Sequence, residues 1–350
     1  MWFYEIEKNK NDMKKINVAV AGLGRIGKIH LKNLCRNFPE IKVMAVMDVF
    51  DESQTIADEF NVPVFVKDFD ELLAVPGVDA VVICSPTDTH ADYVVKAAKA
   101  EKQIFCEKPL DLSLDKVKEV LAIVEESGVK LMLGFNRRFD PEFKKIRQLV
   151  INGAIGDPQI VKITSRDPGP PPVSYIKVSG GMFLDMTIHD FDMARYISGK
   201  QVKEVYAKGA VMIDPEIGNA GDIDTAIITL TFEDNTMAVI DNCRKAVYGY
   251  DQRLEVFGSK GMAQAGNNFP NNHKLYTEKG VSGDLPLHFF LERYDASYNQ
   301  EISEFIDALV FDGKMPVDGN DGLQSIAIGL AAKKSVAEGR SVKLSEILTS

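Results

Sequence analysis

The sequence predicts an α/β protein in two parts: an N-terminal doubly wound parallel sheet, then a second α/β domain with a large, mostly antiparallel sheet. Three observations carry this. Through residues 1–135, β-branched runs alternate with stretches of helical period. Those runs are apolar throughout, as strands covered on both faces are, and that implies a parallel sheet. After residue 134 the strand-like runs alternate apolar and polar, as strands with one covered face do.

Composition sets the outer limits. A chain of 350 residues suggests about two domains at ~150 residues each. Hydrophobic residues make up 45% and charged residues 26%, which is ordinary for a globular protein and excludes a collagen, a coiled coil or a disordered tail. Lys and Arg number 41 against 51 Asp and Glu, a net charge of −10. That balance argues against nucleic acid or an anionic membrane as partner. No apolar run approaches ~18 residues, so no transmembrane helix is expected. Cys35, Cys84, Cys106 and Cys243 show no C-x-x-C pairing, so neither a zinc site nor a disulfide framework is expected, and free thiols suit a cytoplasmic location. Met1–Lys15 lacks the apolar core of a signal peptide. Residues 1–12 read as a polar extension, with Met13 a candidate start.

The elements follow in order. Strand-like runs fall at Ile16–Ala21, Lys42–Asp48, Val62–Val66, Ala80–Cys84, Gln103–Cys106 and Lys130–Leu133. Helical stretches fall at Ile26–Phe38, His90–Ala100 and Leu114–Glu126, the last with Leu114, Val117, Leu121 and Val124 in one stripe. The proline-rich Arg166–Ser174 predicts a stiff loop. In Thr225–Cys243, Ala226, Ile228, Leu230 and Phe232 share one strand face. Glu233-Asp234-Asn235 then makes a turn into a second strand. Arg253–Phe257 and Met262–Ala265 read as further strands, and Phe290–Val310 and Gly322–Glu338 as closing helices. The outer face of this second sheet is only partly polar, which suggests a partner surface such as another subunit. The boundary falls near residues 134–141, dividing the chain into 13–136 and 137–350. The last helix is a candidate to pack back on the first domain.

The sharpest motif is Gly22-Leu23-Gly24-Arg25-Ile26-Gly27. It leaves a strand-like run and opens a helical one, the context that gives G-x-G-x-x-G its meaning. Gly22 allows a tight turn, Gly24 lets backbone approach a pyrophosphate, and Gly27 lets the helix pack on the strand. The helix N-terminus then offers free N–H groups to phosphate. Asp48 ends the second strand, where an acid accepts from the ribose hydroxyls and would repel a 2′-phosphate. Val49, Phe50, Asp51 and Glu52 follow with no Lys or Arg. The cofactor read from these residues is NAD rather than NADP, on a Rossmann domain.

Further motifs carry a family resemblance: Ser85-Pro86 through His90, Glu107-Lys108-Pro109, Gly134-Phe135-Asn136-Arg137-Arg138-Phe139-Asp140 and Asp185-Met186-Thr187-Ile188-His189-Asp190. With the glycine fingerprint, they resemble the Gfo/Idh/MocA family of NAD(P)-dependent oxidoreductases, from about Lys14 to the C-terminus. Ser165-Arg166-Asp167-Pro168, Tyr248 to Arg253 and Glu292-Arg293-Tyr294 point toward the inositol 2-dehydrogenases within it.

Oxidising a secondary alcohol needs a base for the hydroxyl proton, and imidazole titrates nearest neutral pH. His189 is that candidate. Asp185, four residues earlier, is expected on the same helix face, to orient the imidazole or hold a substrate hydroxyl. Lys108 ends the fifth strand, where open α/β sheets bind ligands, and its ammonium suits a developing alkoxide. The resemblance implies these catalytic roles for Lys108, Asp185 and His189, and a cis Lys108–Pro109 bond. It also implies cofactor contacts at Gly22, Leu23, Gly24, Arg25, Ile26, Gly27, Asp48, Ser85, Pro86, Thr87, His90, Glu107 and Lys108. For substrate it implies Lys108, Arg138, Asp167, Asp185, His189, Tyr250 and Tyr294.

Other readings stay open at this point. Lys108 could be a surface lysine and His189 a satisfied core histidine. Asp185, His189 and Asp192 have metal-ligand spacing, although no metal is expected. Arg137 and Arg138 could be ion-pair residues at the domain junction, and His90 a helix cap rather than a cofactor contact. His30 reads as packing. Ser165 stands where related dehydrogenases can carry His, which bears on the choice of polyol.

The resemblance implies NAD-dependent oxidation of a cyclic polyol held between nicotinamide and the second domain. Myo-inositol, giving 2-keto-myo-inositol in inositol catabolism, comes first, with another inositol isomer or a pyranose sugar as alternatives. A homo-oligomer, dimer or tetramer, is expected through the second sheet. A reading from another class is a non-catalytic NAD-binding regulator on the same fold.

Overall fold

The structure is a computed structural model, and it describes residues 15–349. The 1–12 extension and Met13 lie outside the described residues. The chain divides into two compact units.

The first unit holds residues 15–135 and 298–322. Its strands are β1 (Ile16–Ala21), β2 (Ile41–Met47), β3 (Val64–Val66), β4 (Ala80–Ile83), β5 (Gln103–Glu107) and β6 (Leu131–Gly134). They form a parallel sheet in the order β3-β2-β1-β4-β5-β6. The strand order reverses between β1 and β4, which makes the crevice at their carboxyl ends the expected ligand site. Every residue of β4 is buried, as its unbroken apolar run required. The helices are α1 (Arg25–Asn37), α2 (Ser53–Glu59), α3 (Phe69–Leu73), α4 (Thr87–Lys99) and α5 (Leu114–Ser127). Ser113 caps α5 by accepting from the Lys116 N–H, and Gly128 ends it at φ 68°. The helices α2 and α3, of 7 and 5 residues, are too short to show a stripe in the sequence. Residues 298–322 cover the open edge of the sheet. Leu133 N–H donates to Val317 O at 3.3 Å, and Lys130 Nζ to Ala308 O and Gly313 O at 3.0 and 2.8 Å.

The second unit holds residues 136–297 and 323–349. Its strands are β7 (Pro158–Arg166), β8 (Val202–Ala210), β9 (Thr225–Phe232), β10 (Met237–Cys243), β11 (Asp251–Gly258) and β12 (Gly261–Ala265). A small hairpin follows, β13 (Leu275–Thr277) with β14 (Gly280–Ser282), and then β15 (Val342–Lys343). The seven-stranded sheet runs β12-β11-β7-β10-β9-β8-β15, antiparallel except for the β7–β10 pair. In β9, Ala226, Ile228, Leu230 and Phe232 are buried, as the alternation requires. The helices α6 (Pro141–Ile151), α7 (Val173–Ser179), α8 (Gly181–Asp185) and α9 (Ile188–Ser198) precede most of these strands. On the other face, Tyr206, Ile227, Met237, Phe257 and Met262 are 41–50% exposed.

Two helices differ from expectation. Asp185 and His189 do not share a helix face. Asp185 ends α8, His189 lies in the first turn of α9, and Met186 and Thr187 form a turn between them. The buried Thr187 hydroxyl donates to Asn242 Oδ1 at 2.5 Å, a tertiary bond that fixes this turn. The Phe290–Val310 pattern likewise breaks at Tyr294, into Phe290–Arg293 and Asp295–Val310. There the fully buried Tyr294 ring meets Tyr250 edge-on at 6.0 Å, and its hydroxyl donates to Gln252 Oε1 at 3.3 Å. Among the described residues, no helix is long and apolar enough to cross a membrane.

Candidate active site

In the first unit the glycine loop has the geometry its spacing called for. Gly22 sits at φ +90°, and a Cβ there would lie 2.6 Å from Ser85 N. A Cβ on Gly27 would lie 1.9 Å from Gly22 O. A Cβ on Gly24 would meet nothing within 4 Å, so the open side of the loop faces space at the start of α1. That helix has no acidic residue in its first turn and no side-chain cap at Gly24. The dipole at that helix N-terminus therefore favours an anion. These residues fit a dinucleotide.

Asp48 supports the loop directly. Its Oδ2 accepts from Leu23 N–H at 2.6 Å and its Oδ1 from Phe50 N–H at 3.0 Å. Leu23 was expected among the cofactor contacts. The structure buries its side chain and gives its N–H to Asp48, so its part is to hold the loop. Arg25 is exposed and Ile26 half-buried at the helix start.

The exits of β4 and β5 are tied together. Ser85 Oγ lies 2.6 Å from Thr89 Oγ1, and Pro86 and Thr87 open α4. His90 is buried, with Nδ1 2.8 Å from Pro109 O and Nε2 2.8 Å from Ser85 O. Both ring nitrogens meet backbone carbonyls rather than helix N–H groups, so His90 does not cap α4 and instead ties these two exits together. The Lys108–Pro109 bond is cis. Glu107 turns inward, its Oε1 2.7 Å from His30 Nε2. His30 meets Phe105 and Tyr298 edge-on, and Glu301 Oε1 lies 3.8 Å from its Nε2. Burial pushes the Glu301 carboxyl well above its usual range, with Glu107 adding to the shift. Among the described residues, these three are the group that comes within metal-ligand distances.

The second unit gathers the remaining polar residues into two buried networks. In one, Arg137 Nη1 donates to Asp190 Oδ1 at 2.6 Å, and both terminal nitrogens reach Ser165 Oγ at 3.3 Å. Arg137 Nη2 is 3.5 Å from Tyr250 OH, and Ser165 donates to Gln252 Oε1 at 3.1 Å. Asn242 Nδ2 donates to the second oxygen of Asp190 at 2.9 Å. Burial pushes Asp190 up, while Arg137 and Asn242 pull it down. Tyr250 and Tyr294 are both buried among these groups, and burial raises both phenols, Tyr294 to about 12.

Arg138 was expected to bind substrate. The structure instead lays its fork on Asp192, with Nε–Oδ2 at 2.8 Å and Nη2–Oδ1 at 2.5 Å, over the Tyr196 ring. This is the ion-pair alternative. It also engages both oxygens of Asp192, which removes that residue from the metal spacing considered above.

The second network holds the expected Asp167 and Asp185, together with two residues the sequence reading missed. Arg244 is 2% exposed. Its Nη1 lies 3.2 Å from Asp185 Oδ2 and 3.6 Å from Asp167 Oδ2. The Tyr175 hydroxyl donates to Asp185 Oδ1 at 3.0 Å. Burial pushes Asp167 up to about 6, opposed by Arg244 and reinforced by Asp185. A signal for Arg244 did exist. It continues the inward parity of Ala238, Ile240 and Asn242 in β10, and a charge at that parity has to be paired. Tyr175, just after the proline-rich segment, left no such mark. Lys108 belongs to the first unit, and Asp185 and half-buried His189 to the second.

A parallel sheet with a pyrophosphate loop, an acid at the end of β2 and a polar catalytic-type cluster together define an NAD-binding oxidoreductase. The comparisons agree. The family described as "Oxidoreductase family, NAD-binding Rossmann fold" matches residues 16–135, and the "GFO/IDH/MocA C-terminal domain" matches residues 143–264. The chain belongs to the GFO/IDH/MocA oxidoreductase family. It is 52% identical over 332 residues to an uncharacterized oxidoreductase of Bacillus subtilis, covering 95% of this chain and 97% of that one. It is 50% identical over 334 residues to a myo-inositol 2-dehydrogenase of Thermotoga maritima, covering 95% of this chain and 100% of that one. Among solved structures it is similar to a scyllo-inositol dehydrogenase of Lactobacillus casei with bound NAD(H) and scyllo-inositol. That likeness has a TM-score of 0.89 at 30% identity, covering 95% of this chain and 100% of that one.

Proposed function

We propose that this protein oxidises a secondary alcohol of a cyclic polyol to a ketone, with myo-inositol as substrate and 2-keto-myo-inositol as product. The observation that carries the reading is the Asp167–Arg244–Asp185–Tyr175 cluster around the buried Arg244, one turn before His189, in a chain whose glycine loop fits NAD. Carboxylates, a guanidinium and phenols are the groups that hold a ring of hydroxyls. When bound, the nicotinamide accepts the hydride. His189 takes the hydroxyl proton, Asp185 holds a substrate hydroxyl or orients the imidazole, and Lys108 stabilises developing alkoxide charge. Asp48 selects NAD by accepting from the ribose hydroxyls. The inositol names of the relatives support the substrate class. The bound scyllo-inositol of the similar structure keeps a second isomer in view.

The test is nicotinamide reduction, followed by absorbance, with NAD and a panel of inositol isomers and hexoses. Myo-inositol should give the highest kcat/KM. Preference for another isomer or a hexose revises the substrate. Silence toward the whole panel returns the reading of a non-catalytic NAD-binding regulator. His189→Ala should flatten the near-neutral limb of the pH–rate profile, and a persisting limb would name another base.

The exposed Tyr206, Ile227, Met237, Phe257 and Met262 on one sheet face support a homo-oligomer, dimer or tetramer, of this chain. Light scattering should give a dimer or tetramer mass, and Phe257→Glu should lower it.

A further inference from the structure

We propose that Arg244 is a positioning residue of the substrate site: its buried guanidinium clamps Asp185 and Asp167 together and keeps Asp185 in the anionic form the reaction uses. This rests on the reading of Asp185 given above.

The first support is placement. Arg244 follows β10 at inward parity, and its backbone N–H donates to Asp224 O at 2.8 Å. A guanidinium 2% exposed at that position is costly unless anions answer it. Two do, and both lie in the segments the sequence marks as chemical: Asp167 just after β7 and Asp185 at the end of α8.

The second support is a contrast within the same unit. Arg138 meets one carboxylate, that of Asp192, in two parallel bonds. Arg244 reaches both of its carboxylates through one nitrogen, while Nε and Nη2 are buried with no acceptor among the described residues. Unanswered buried donors are costly. Packing alone does not account for a charge held in this way. A post that restrains two acids at once does.

The third support is electrostatic. Two carboxylates sharing one site repel, and a cation between them lets both ionise. The groups acting on the pair come from separate elements. They include Arg244 after β10, Tyr175 of α7 on Asp185, and Arg137 after β6 and Asp190 of α9, both acting on Asp167. Asp167 also acts on the Tyr250 phenol. Arg137 is paired with Asp190, and Arg244 is bound to Asp185. Removing it favours the protonated form of the pair, so any step needing the Asp185 anion should require a higher pH.

The experiment compares kcat/KM–pH profiles, with myo-inositol and NAD, for the wild type, Arg244→Met, Arg244→Lys and Asp185→Asn. Far-ultraviolet circular dichroism and NAD titration serve as folding controls. In Arg244→Met the acid limb should move up by about one pH unit or more. Below the wild-type limb activity should fall about tenfold or more, and at pH 9 it should return to within about threefold. Arg244→Lys should keep the wild-type limb. Asp185→Asn should be inactive throughout. An unmoved limb in folded Arg244→Met, beside an inactive Asp185→Asn, overturns the role of Arg244 alone. A normally active Asp185→Asn overturns the reading of Asp185 and this inference with it. If Arg244→Met does not fold, the Lys variant decides: a folded, NAD-binding Arg244→Lys that is inactive at every pH overturns the clamp, and a wild-type limb supports it.

Discussion

The two polar regions of this molecule are built in opposite ways. At the dinucleotide end, backbone supplies the chemistry. Three glycines within six residues set a turn, an open approach and a close helix contact, and one carboxylate, Asp48, pins the loop from below. In the second unit, side chains supply the chemistry. Arg137, Arg138, Ser165, Asp167, Asp190, Asp192, Asn242 and Arg244 converge from separate segments into buried charge networks. A backbone-made site depends on steric room at a few positions. A side-chain-made site depends on every charge having its partner, because an unpaired buried charge costs several kcal/mol. The first should therefore fail through bound NAD, and the second through stability and pH.

Four substitutions probe that contrast. The largest effect is expected from Lys108→Ala, which should lower kcat by about a thousandfold or more through lost stabilisation of the alkoxide. NAD affinity, read by fluorescence titration, should stay within about threefold. Unchanged turnover would remove Lys108 from the mechanism. Next comes Arg138→Met. It removes the paired charge of Asp192, a buried acid, and should cost about 3–5 kcal/mol in urea unfolding; a loss below about 1 kcal/mol would break the claim that this network is held by its charge pairs.

Asp167→Asn comes third, and its sign depends on pH. The folded protein holds Asp167 at about 6, above its ordinary 3.8. The native state thus binds that proton more tightly than the unfolded chain does, so the wild type loses stability as pH rises from about 4 to 6. The Asn variant escapes that loss. It should be more stable than the wild type above pH 6, by up to about 3 kcal/mol, with the difference gone near pH 4. Thermal melts at pH 4 and pH 8 decide this, and a difference independent of pH would contradict it. The smallest effect belongs to Asp48→Ala. NAD should weaken by about tenfold, the loss of one charge-assisted contact, and the NADP/NAD preference should rise. An unchanged ratio would remove Asp48 from cofactor selection.

Legibility followed the same division. Apolar runs and their spacing located all six strands of the first sheet to within about two residues, because parallel strands buried on both faces leave no polar interruption. The glycine loop was legible because its function is its spacing. The alternation of Ala226, Ile228, Leu230 and Phe232 gave β9 its inward face. Asp185 and His189 were recognised as residues but misplaced on one helix, because the turn at Met186–Thr187 depends on Asn242, 55 residues away from Thr187. The break at Tyr294 likewise depends on Tyr250 and Gln252.

By itself the sequence determined the parallel sheet, the dinucleotide loop with Asp48 behind it, and the chemical types available for catalysis. These are local consequences of burial period and steric room. Only the tertiary structure decided what each charge does. It sent Arg138 to Asp192, His90 to two carbonyls, Glu107 to His30, and a fully buried Arg244 to Asp185 and Asp167. A charged side chain shows in sequence only that it must find a partner, and which partner it finds is fixed by chain segments that meet in space alone.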